Sequence, residues 1–546
     1  MNIIKPFLKG VFSKNHLPVA ALLLVGIAFR LPHLGSRGVW LDEAVCIDIA
    51  SSKSILEILN RLQMDASPPL YYFFLHYWMK LFGMGELALR ISSLLIGIGL
   101  LILIYYVMLS WFAKRESAFL AAFIVSLSPL AIFYSQEIRP YGLLALLALI
   151  TLWCLHKALS GGKTGWWLLY VLGFILTFLT HYSGFPALAA IALFALIQAS
   201  YRKQMKQFLW SHGLLLIAFL LWLPEFQHHS RNSSSYAFAF DIWKHLGVTC
   251  LWSTYKSFTG GEFPRYFINC ETSWGAPLLH FVYGAAIINA LYLIFCKNGS
   301  GQKPYLISLA LLGFLPPLLL LLSGIAGKPA YIPARTDFVA YPALAMLAGY
   351  GLSRFPSFTW AIFLIIMMPV LGQPLNGYYN DPLRPIDREV CTRYVPSIAH
   401  YGDGVILTGL FVYEHNYYLR QSPLKFTIFA YPPDPMVRSL SPEELSLSYF
   451  QALAKELEKE LNAFMRKAPP GQGIVVLLQL GEPRMEPLTD ILERNFRQQP
   501  NLKPLHARCI QGLPGFLVVR LLSKDEESSQ VKKSKSKCIE TPMETP

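Results

Sequence analysis

Apolar stretches of roughly 20 residues recur along most of this chain, each long enough to cross the hydrocarbon of a bilayer as an α-helix. Inside lipid every backbone N–H and C=O needs an internal partner, so continuous apolar runs of this length fold as a helical bundle. Candidate spans fall at about 17–33, 88–112, 117–134, 140–158, 166–181, 184–200, 208–224, 276–296, 304–323, 337–353 and 358–375, about eleven in all. A further helix at 68–82 is short for a span. Composition agrees, with 54% hydrophobic residues and only 15% charged ones, few for a soluble enzyme. The run at 17–31 lacks a small-residue cleavage site, so it is read as the first span and not as a signal peptide.

A net charge of +14 would ordinarily raise the question of nucleic acid. The positions of the cations argue against it. Lys114 and Arg115, Lys157 and Lys163, Arg202, Lys203 and Lys206, Lys297 and Lys303, and Arg354 all fall in alternate short connections. With Lys5, Lys9 and Lys14, they form the positive-inside pattern of a multi-pass protein whose N-terminus is cytoplasmic. The acids are an independent check. Of thirteen Asp and Glu in residues 1–379, only Glu116 falls on the cytoplasmic side of this topology. An odd number of spans then places everything beyond residue 380 outside the cytoplasm, in the plasma or inner membrane's outer space.

The expected organisation is a membrane bundle over 1–379, a soluble extracytoplasmic α/β domain over 383–522, and a polar, disordered tail over 523–546. Two long external segments interrupt the bundle, at 34–87 and 225–275. In the first, 42–60 reads as one amphipathic helix lying at the interface. Tyr71, Tyr72, Trp78 and Phe82 read as part of an aromatic belt. The second segment, with QHHSRNSSSYAFAF, is polar and weakly patterned, a candidate lid or acceptor-facing loop. In the C-terminal region the pattern predicts strands at 404–408, 425–429, 473–480 and 514–521, with helices at 386–399, 411–420, 442–467 and 486–497. Cys250 and Cys270 share one external loop, and Cys391 and Cys509 share the external domain. Each pair is a candidate disulfide, with unpaired cysteines the equal alternative. The sequence has no glycine-rich phosphate loop, no metal-ligand spacing and no GxSxG turn.

Four strings carry a resemblance. VWLDEA (39–44), SPPLYYFFLHYWMKLFGMGELALRISS (67–93), YSQEIRPYGLLALLALI (134–150) and IPARTDFVAYPALAMLAGYGL (332–352) stand in the order found in polytopic glycosyltransferases of the GT-C class. The group they most resemble contains the protein O-mannosyltransferases and the lipid A aminoarabinose transferases, the glycosyltransferase family 39 type. The resemblance implies that the mainly α bundle of about eleven transmembrane helices counted above is of the GT-C type. It also implies an inverting transfer of a sugar from a polyprenyl-phosphate donor to a hydroxyl of a lipid, protein or glycan acceptor. One departure stands out: Ser67 precedes the PPL where several relatives carry His or Lys. No DxD motif is present, so no metal or other cofactor is called for, and a divalent ion is left open.

Such chemistry needs a carboxylate within reach of the acceptor proton and fixed cations facing a leaving phosphate. Asp42 is the candidate base, with Glu43 orienting it or contacting the sugar. The alternative is helix capping, since acids are routine in a first helical turn; on the residues alone the two stand even, and the resemblance favours catalysis. Arg335 is the first candidate for the phosphate, because a guanidinium can hold two phosphate oxygens at once. Lys328 lies near it in sequence. Glu137, Arg139 and Tyr141 of the SQEIRPY string, His181 of THYSGFP and Asp65 complete the donor-site candidates. Against these stand an interfacial anchor for the arginines, ordinary capping for Glu137, a structural histidine and a turn aspartate. A lipid-linked saccharide flippase or transporter is the alternative of a different class, but transporters place charges at the midplane and show repeated halves, and this sequence does neither. An oligosaccharide ligase or polymerase stays open.

Overall fold

The computed structural model describes residues 17–65, 67–161, 164–232, 235–263, 274–296, 301–380, 388–408 and 412–431, with short pieces at 459–460, 463–464 and 467 and strands at 474–479, 502–509 and 516–523. The chain divides into two compact units, residues 1–37 with 46–383, and residues 38–45 with 384–546.

The larger unit is almost entirely helical. In chain order its helices are α1 (Leu17–Ala28), α2 (Leu41–Ala50, which starts in the other unit), α3 (Ile55–Asp65), α4 (Leu70–Phe82), α5 (Glu86–Phe112), α6 (Arg115–Leu127), α7 (Pro129–Tyr134), α8 (Tyr141–Leu159), α9 (Thr164–Phe178), α10 (Phe185–Tyr201), α11 (Met205–Asn232), α12 (Ser235–Leu246), α13 (Cys250–Gly260), α14 (Ala276–Phe295), α15 (Lys303–Ile325), α16 (Tyr341–Leu352) and α17 (Ser357–Tyr379). Among the described residues seven helices are long and apolar enough to cross a membrane: α5, α8, α10 with its preceding turn, α11, α14, α15 and α17. Segments Val19–Ala28, Thr164–Phe178 and Phe338–Leu352 are apolar but shorter. The span expected at 117–134 is broken between α6 and α7, where Pro129 cannot continue the backbone ladder and the Ser128 hydroxyl accepts from the Ala131 N–H at 3.3 Å. This is a mainly α, multi-pass membrane bundle.

Its centre is α16, whose residues are buried on nearly every side. Two glycines make that possible. A Cβ at Gly349 would collide with the Ala121 backbone of α6, and one at Gly351 with the Ala286 carbonyl of α14. Small residues let helix backbones approach where lipid supplies no hydrophobic drive.

Arg30 is a second fixed point. Its side chain is 1% exposed and donates to the Ser135 hydroxyl (Nε, 3.0 Å) and to the carbonyls of Gly26 and Ser126 (Nη1, both 2.9 Å) and Val125 (Nη2, 3.0 Å). It thereby staples the end of the first apolar segment to α6 and to the turn after α7. That segment turns away at Ala28, sooner than the expected 33.

Several local expectations differ from what is observed. The single helix expected over 42–60 is two, α2 and α3, separated where Ser51 and Ser52 turn their hydroxyls onto the carbonyls of Asp48 and Ile49. A capping box then starts α3: the Ser54 hydroxyl accepts from the Glu57 N–H, and the Glu57 carboxylate from the Lys53 N–H. Tyr71 and Tyr72 are not belt residues; they are buried against the bundle, at 0% and 2% exposure. The stretch from 225 to 260, read as weakly patterned, is helical within its described residues, through α11, α12 and α13. Ala239, Ile242, Cys250 and Thr254 are buried there, a helical spacing obscured by the serines before them.

In the smaller unit, five strands form a mixed sheet of order β2-β1-β3-β5-β4, with β1 Gly404–Thr408, β2 Thr427–Tyr431, β3 Ile474–Gln479, β4 Leu502–Cys509 and β5 Phe516–Ser523. β1 pairs in parallel with β2 and β3, and β5 runs antiparallel to β3 and β4. A helix at Val412–Arg420 connects β1 to β2, so the unit is α/β. Four of the strands coincide with expected ones within two residues at most, while β4 was unexpected, because Pro504 sits at its irregularity and disguises the alternation. The helices expected at 442–467 and 486–497 lie almost wholly outside the described residues, as do the tail and the Cys270 of one candidate disulfide. Cys250 and Cys391 are buried.

Candidate functional site

The YSQEIRPY string is a turn between α7 and α8 in which nearly every residue is tied down. Ser135 receives Arg30. The Gln136 amide donates to the carbonyls of Arg30 (2.7 Å) and Pro32 (2.9 Å) and accepts from the Tyr378 hydroxyl (2.7 Å). The Glu137 carbonyl accepts from the Ser93 hydroxyl at 2.6 Å. The Tyr134 hydroxyl reaches across to the Ala334 carbonyl at 2.8 Å, in the loop between α15 and α16. One turn thus fixes both its own Arg139 and the neighbouring loop that carries Arg335.

The two arginines converge on Tyr141, the first residue of α8. Arg335 donates from Nε to the Tyr141 hydroxyl at 2.7 Å. Both guanidinium carbons lie 5.6 Å from the Tyr141 ring centroid, within cation–π range. Arg139 also donates from Nη1 to the Cys46 sulfur at 3.1 Å. Tyr141 itself is buried, whereas both arginines are partly exposed.

His181 completes the group, its ring 5.0 Å from that of Tyr141. The Ser183 N–H donates to His181 Nδ1 at 3.0 Å, so Nδ1 is an acceptor and the proton of the neutral ring sits on Nε2. Desolvation, reinforced by Arg139 and Arg335, lowers its pKa to about 3. Between two cations His181 is therefore a neutral hydrogen-bond donor, not a third positive charge or an acid–base group near pH 7.

The sequence candidates Arg139, Tyr141, His181 and Arg335 are thus brought together, and the buried Glu137 stands in the same turn. None of these contacts involves Lys328, which is exposed seven residues before Arg335. Asp65 ends α3, and its side chain lies outside the described residues. Asp42 and Glu43 occupy the first turn of α2. Glu43 is buried, and its carboxylate accepts from the Trp40 N–H at 3.4 Å, the reach-back of a capping box. Asp42 is partly exposed and precedes Cys46 by four residues, so the two share one face of the helix.

Two residues were not singled out from sequence. Cys46 stood in the string quoted for the acids, but a thiol carries no motif. Asp337, two residues beyond Arg335, is wholly buried and bonded to the Thr254 hydroxyl. Burial raises its pKa to about 7, against the hydrogen bonds from Thr254 and Tyr331. Among the described residues no cluster of His, Cys, Asp and Glu is arranged to hold a metal ion.

Comparison with known proteins gives the fold. The fold is that of GT-C membrane glycosyltransferases, of the type seen in ArnT. The crystal structure of ArnT from Cupriavidus metallidurans in the apo state superposes with a TM-score of 0.55 at 12% identity, covering 92% of this chain and 97% of that one. The same protein bound to undecaprenyl phosphate gives a TM-score of 0.52, at the same identity and coverage. The family model for dolichyl-phosphate-mannose-protein mannosyltransferase matches residues 66–227, which include the turn with Arg139 and Tyr141 and also His181. Among curated proteins none matches this chain by sequence.

Proposed function

We propose that this protein is an inverting glycosyltransferase that takes a sugar from a polyprenyl-phosphate-linked donor and passes it to an acceptor hydroxyl at the outer face of the plasma membrane. The observation that carries the reading is the convergence of Arg139 and Arg335 on Tyr141, beside a neutral His181, in a fold shared with ArnT. Two guanidinium groups can divide the charge of a phosphodiester that becomes a phosphomonoester, and an N–H donor can bind it without adding another charge that must be desolvated. That a structure of ArnT holds undecaprenyl phosphate supports a lipid of this kind as the carrier.

In this reading Asp42 is the base. The acceptor oxygen attacks the anomeric carbon and its proton passes to the Asp42 carboxylate. The bond from that carbon to the phosphate oxygen breaks, and its electron pair stays on the phosphate beside the arginines. Attack opposite the leaving group inverts the anomeric configuration. Glu43, committed to the Trp40 N–H, holds the start of α2 in place. Glu137 supports the turn that presents Arg139.

The test is single-turnover transfer by purified full-length protein in detergent, from a radiolabelled undecaprenyl-phosphate sugar to water or an added acceptor. Sugar release or transfer that is lost in Asp42→Asn supports the reading. Movement of intact donor across a vesicle membrane without cleavage would overturn it in favour of a carrier.

A further inference from the structure

Thr254 of α13, Tyr331 and Asp337 form a small buried polar group in otherwise apolar surroundings. The Thr254 hydroxyl donates to Asp337 Oδ2 and lies 2.9 Å from the Tyr331 hydroxyl. Their exposures are 5%, 0% and 0%, and Ile242, Cys250, Leu320 and Ile332 belong to the same packed cluster. An unanchored carboxyl in such a place would be costly, so the hydroxyls are needed to keep it there.

The geometry gives this group a purpose. Tyr331 and Asp337 bracket the segment that carries Arg335, and both are tied to the same threonine on another helix. Between them the segment folds on itself: the Ile332 N–H donates to the Thr336 hydroxyl at 3.0 Å, and the Arg335 and Thr336 N–H groups donate to the Ile332 carbonyl. Ala334 holds a left-handed φ of 61°. With both ends pinned, and the Ala334 carbonyl held by the Tyr134 hydroxyl, the segment places Arg335 Nε on the Tyr141 hydroxyl.

We infer that Thr254 is a positioning residue for anion binding: by tying the Tyr331–Asp337 pair to α13 it sets the loop that aims Arg335 at the phosphate of the lipid donor. This rests on the proposed reading of the site. It assigns α13 a part in substrate capture that its sequence, CLWSTYKSFTG, does not announce.

The test compares binding of undecaprenyl phosphate and of uncharged undecaprenol to full-length protein in detergent. Thr254→Val keeps the shape and removes the hydroxyl. It is expected to weaken undecaprenyl phosphate about tenfold, the scale of losing a hydrogen bond to a charged group, and to leave undecaprenol unchanged. Thr254→Ser restores the hydroxyl and the affinity. Asp337→Leu reproduces the loss, while Asp337→Asn, whose amide oxygen still accepts from Thr254, stays within about twofold. The thermal unfolding midpoint, read in parallel, identifies any variant that has failed to fold, and the Ser and Asn variants then decide. Equal phosphate affinity in the wild type and Thr254→Val overturns this inference alone, as does a loss shared equally by undecaprenol. A wild type that binds neither lipid overturns the inference together with the reading beneath it.

Discussion

Arg30 and Arg335 both stand near the end of an apolar segment of the larger unit, and their surroundings divide them. Arg30 is 1% exposed, and its donors are spent on three carbonyls and one hydroxyl that join separate parts of the bundle. Arg335 is partly exposed and lies with Arg139 against one tyrosine ring. The neighbouring acids of α2 repeat the division: Glu43 is buried and caps its own helix, whereas Asp42 is partly exposed one residue earlier. The bonds of Arg30 and Glu43 thus go to the backbone around them and serve the fold, whereas the side chains of Arg335 and Asp42 are only partly buried.

Breaking this division by substitution should produce opposite phenotypes. The largest effect is expected at Asp42. Asp42→Asn should lower transfer about a thousandfold, the scale of removing a general base, with undecaprenyl phosphate affinity unchanged. Glu43→Gln, which keeps an acceptor for the Trp40 N–H, should retain most of the activity; an equal loss in both variants would erase the distinction between them.

Next come the arginines. Arg335→Gln should weaken undecaprenyl phosphate by ten- to a hundredfold, roughly the value of a charge-assisted pair, and Arg335→Lys should recover part of that. Neither should change the unfolding midpoint much. Arg30→Met should do the reverse, destabilising the protein by about 3 kcal/mol because buried carbonyls lose their donors, without selective loss of phosphate over undecaprenol. Selective phosphate loss in Arg30→Met would show that burial does not separate the two roles.

A smaller effect, dependent on pH, is expected at Asp337. Its folded pKa of about 7 lies above the ordinary value of 3.8, so folding disfavours the charged form. The stability present below about pH 4 is therefore lost as pH rises through 7. Asp337→Asn cannot ionise, and should raise the unfolding midpoint by a few degrees at pH 8 while leaving it unchanged at pH 4. The smallest effect belongs to His181. His181→Gln should weaken phosphate binding severalfold and leave the pH profile between 5 and 8 unaltered, because the ring it replaces is neutral throughout that range.

Much of this architecture is legible in the sequence, because lipid enforces a simple rule on the backbone. The helices around 88–112, 140–158 and 276–296 fall within one or two residues of where hydropathy alone predicts them. Arg139, Tyr141, His181 and Arg335 were named as candidates from the charge pattern and the resemblance together, but their meeting at Tyr141 was not legible, since residues 194 apart, as Tyr141 and Arg335 are, share no local pattern. Thr254 and Asp337, 83 residues apart, were not legible at all. Threonine in an apolar helix is commonplace, and no periodicity records which distant carboxyl it will meet. Cys46 escaped for the same reason, as nothing about a lone thiol foretells an arginine.

The alanine before Arg335 has a consequence of its own. An L-residue at a φ of 61° sits about 1 kcal/mol above its relaxed shape, and the Tyr134 hydroxyl grips its carbonyl. The arrangement acts as a sprung latch, with the catch on one segment and the spring on another. Filing off the catch with Tyr134→Phe should let the segment unwind and carry Arg335 away from Tyr141. Replacing the spring by glycine, as Ala334→Gly, should leave the latch shut but slack.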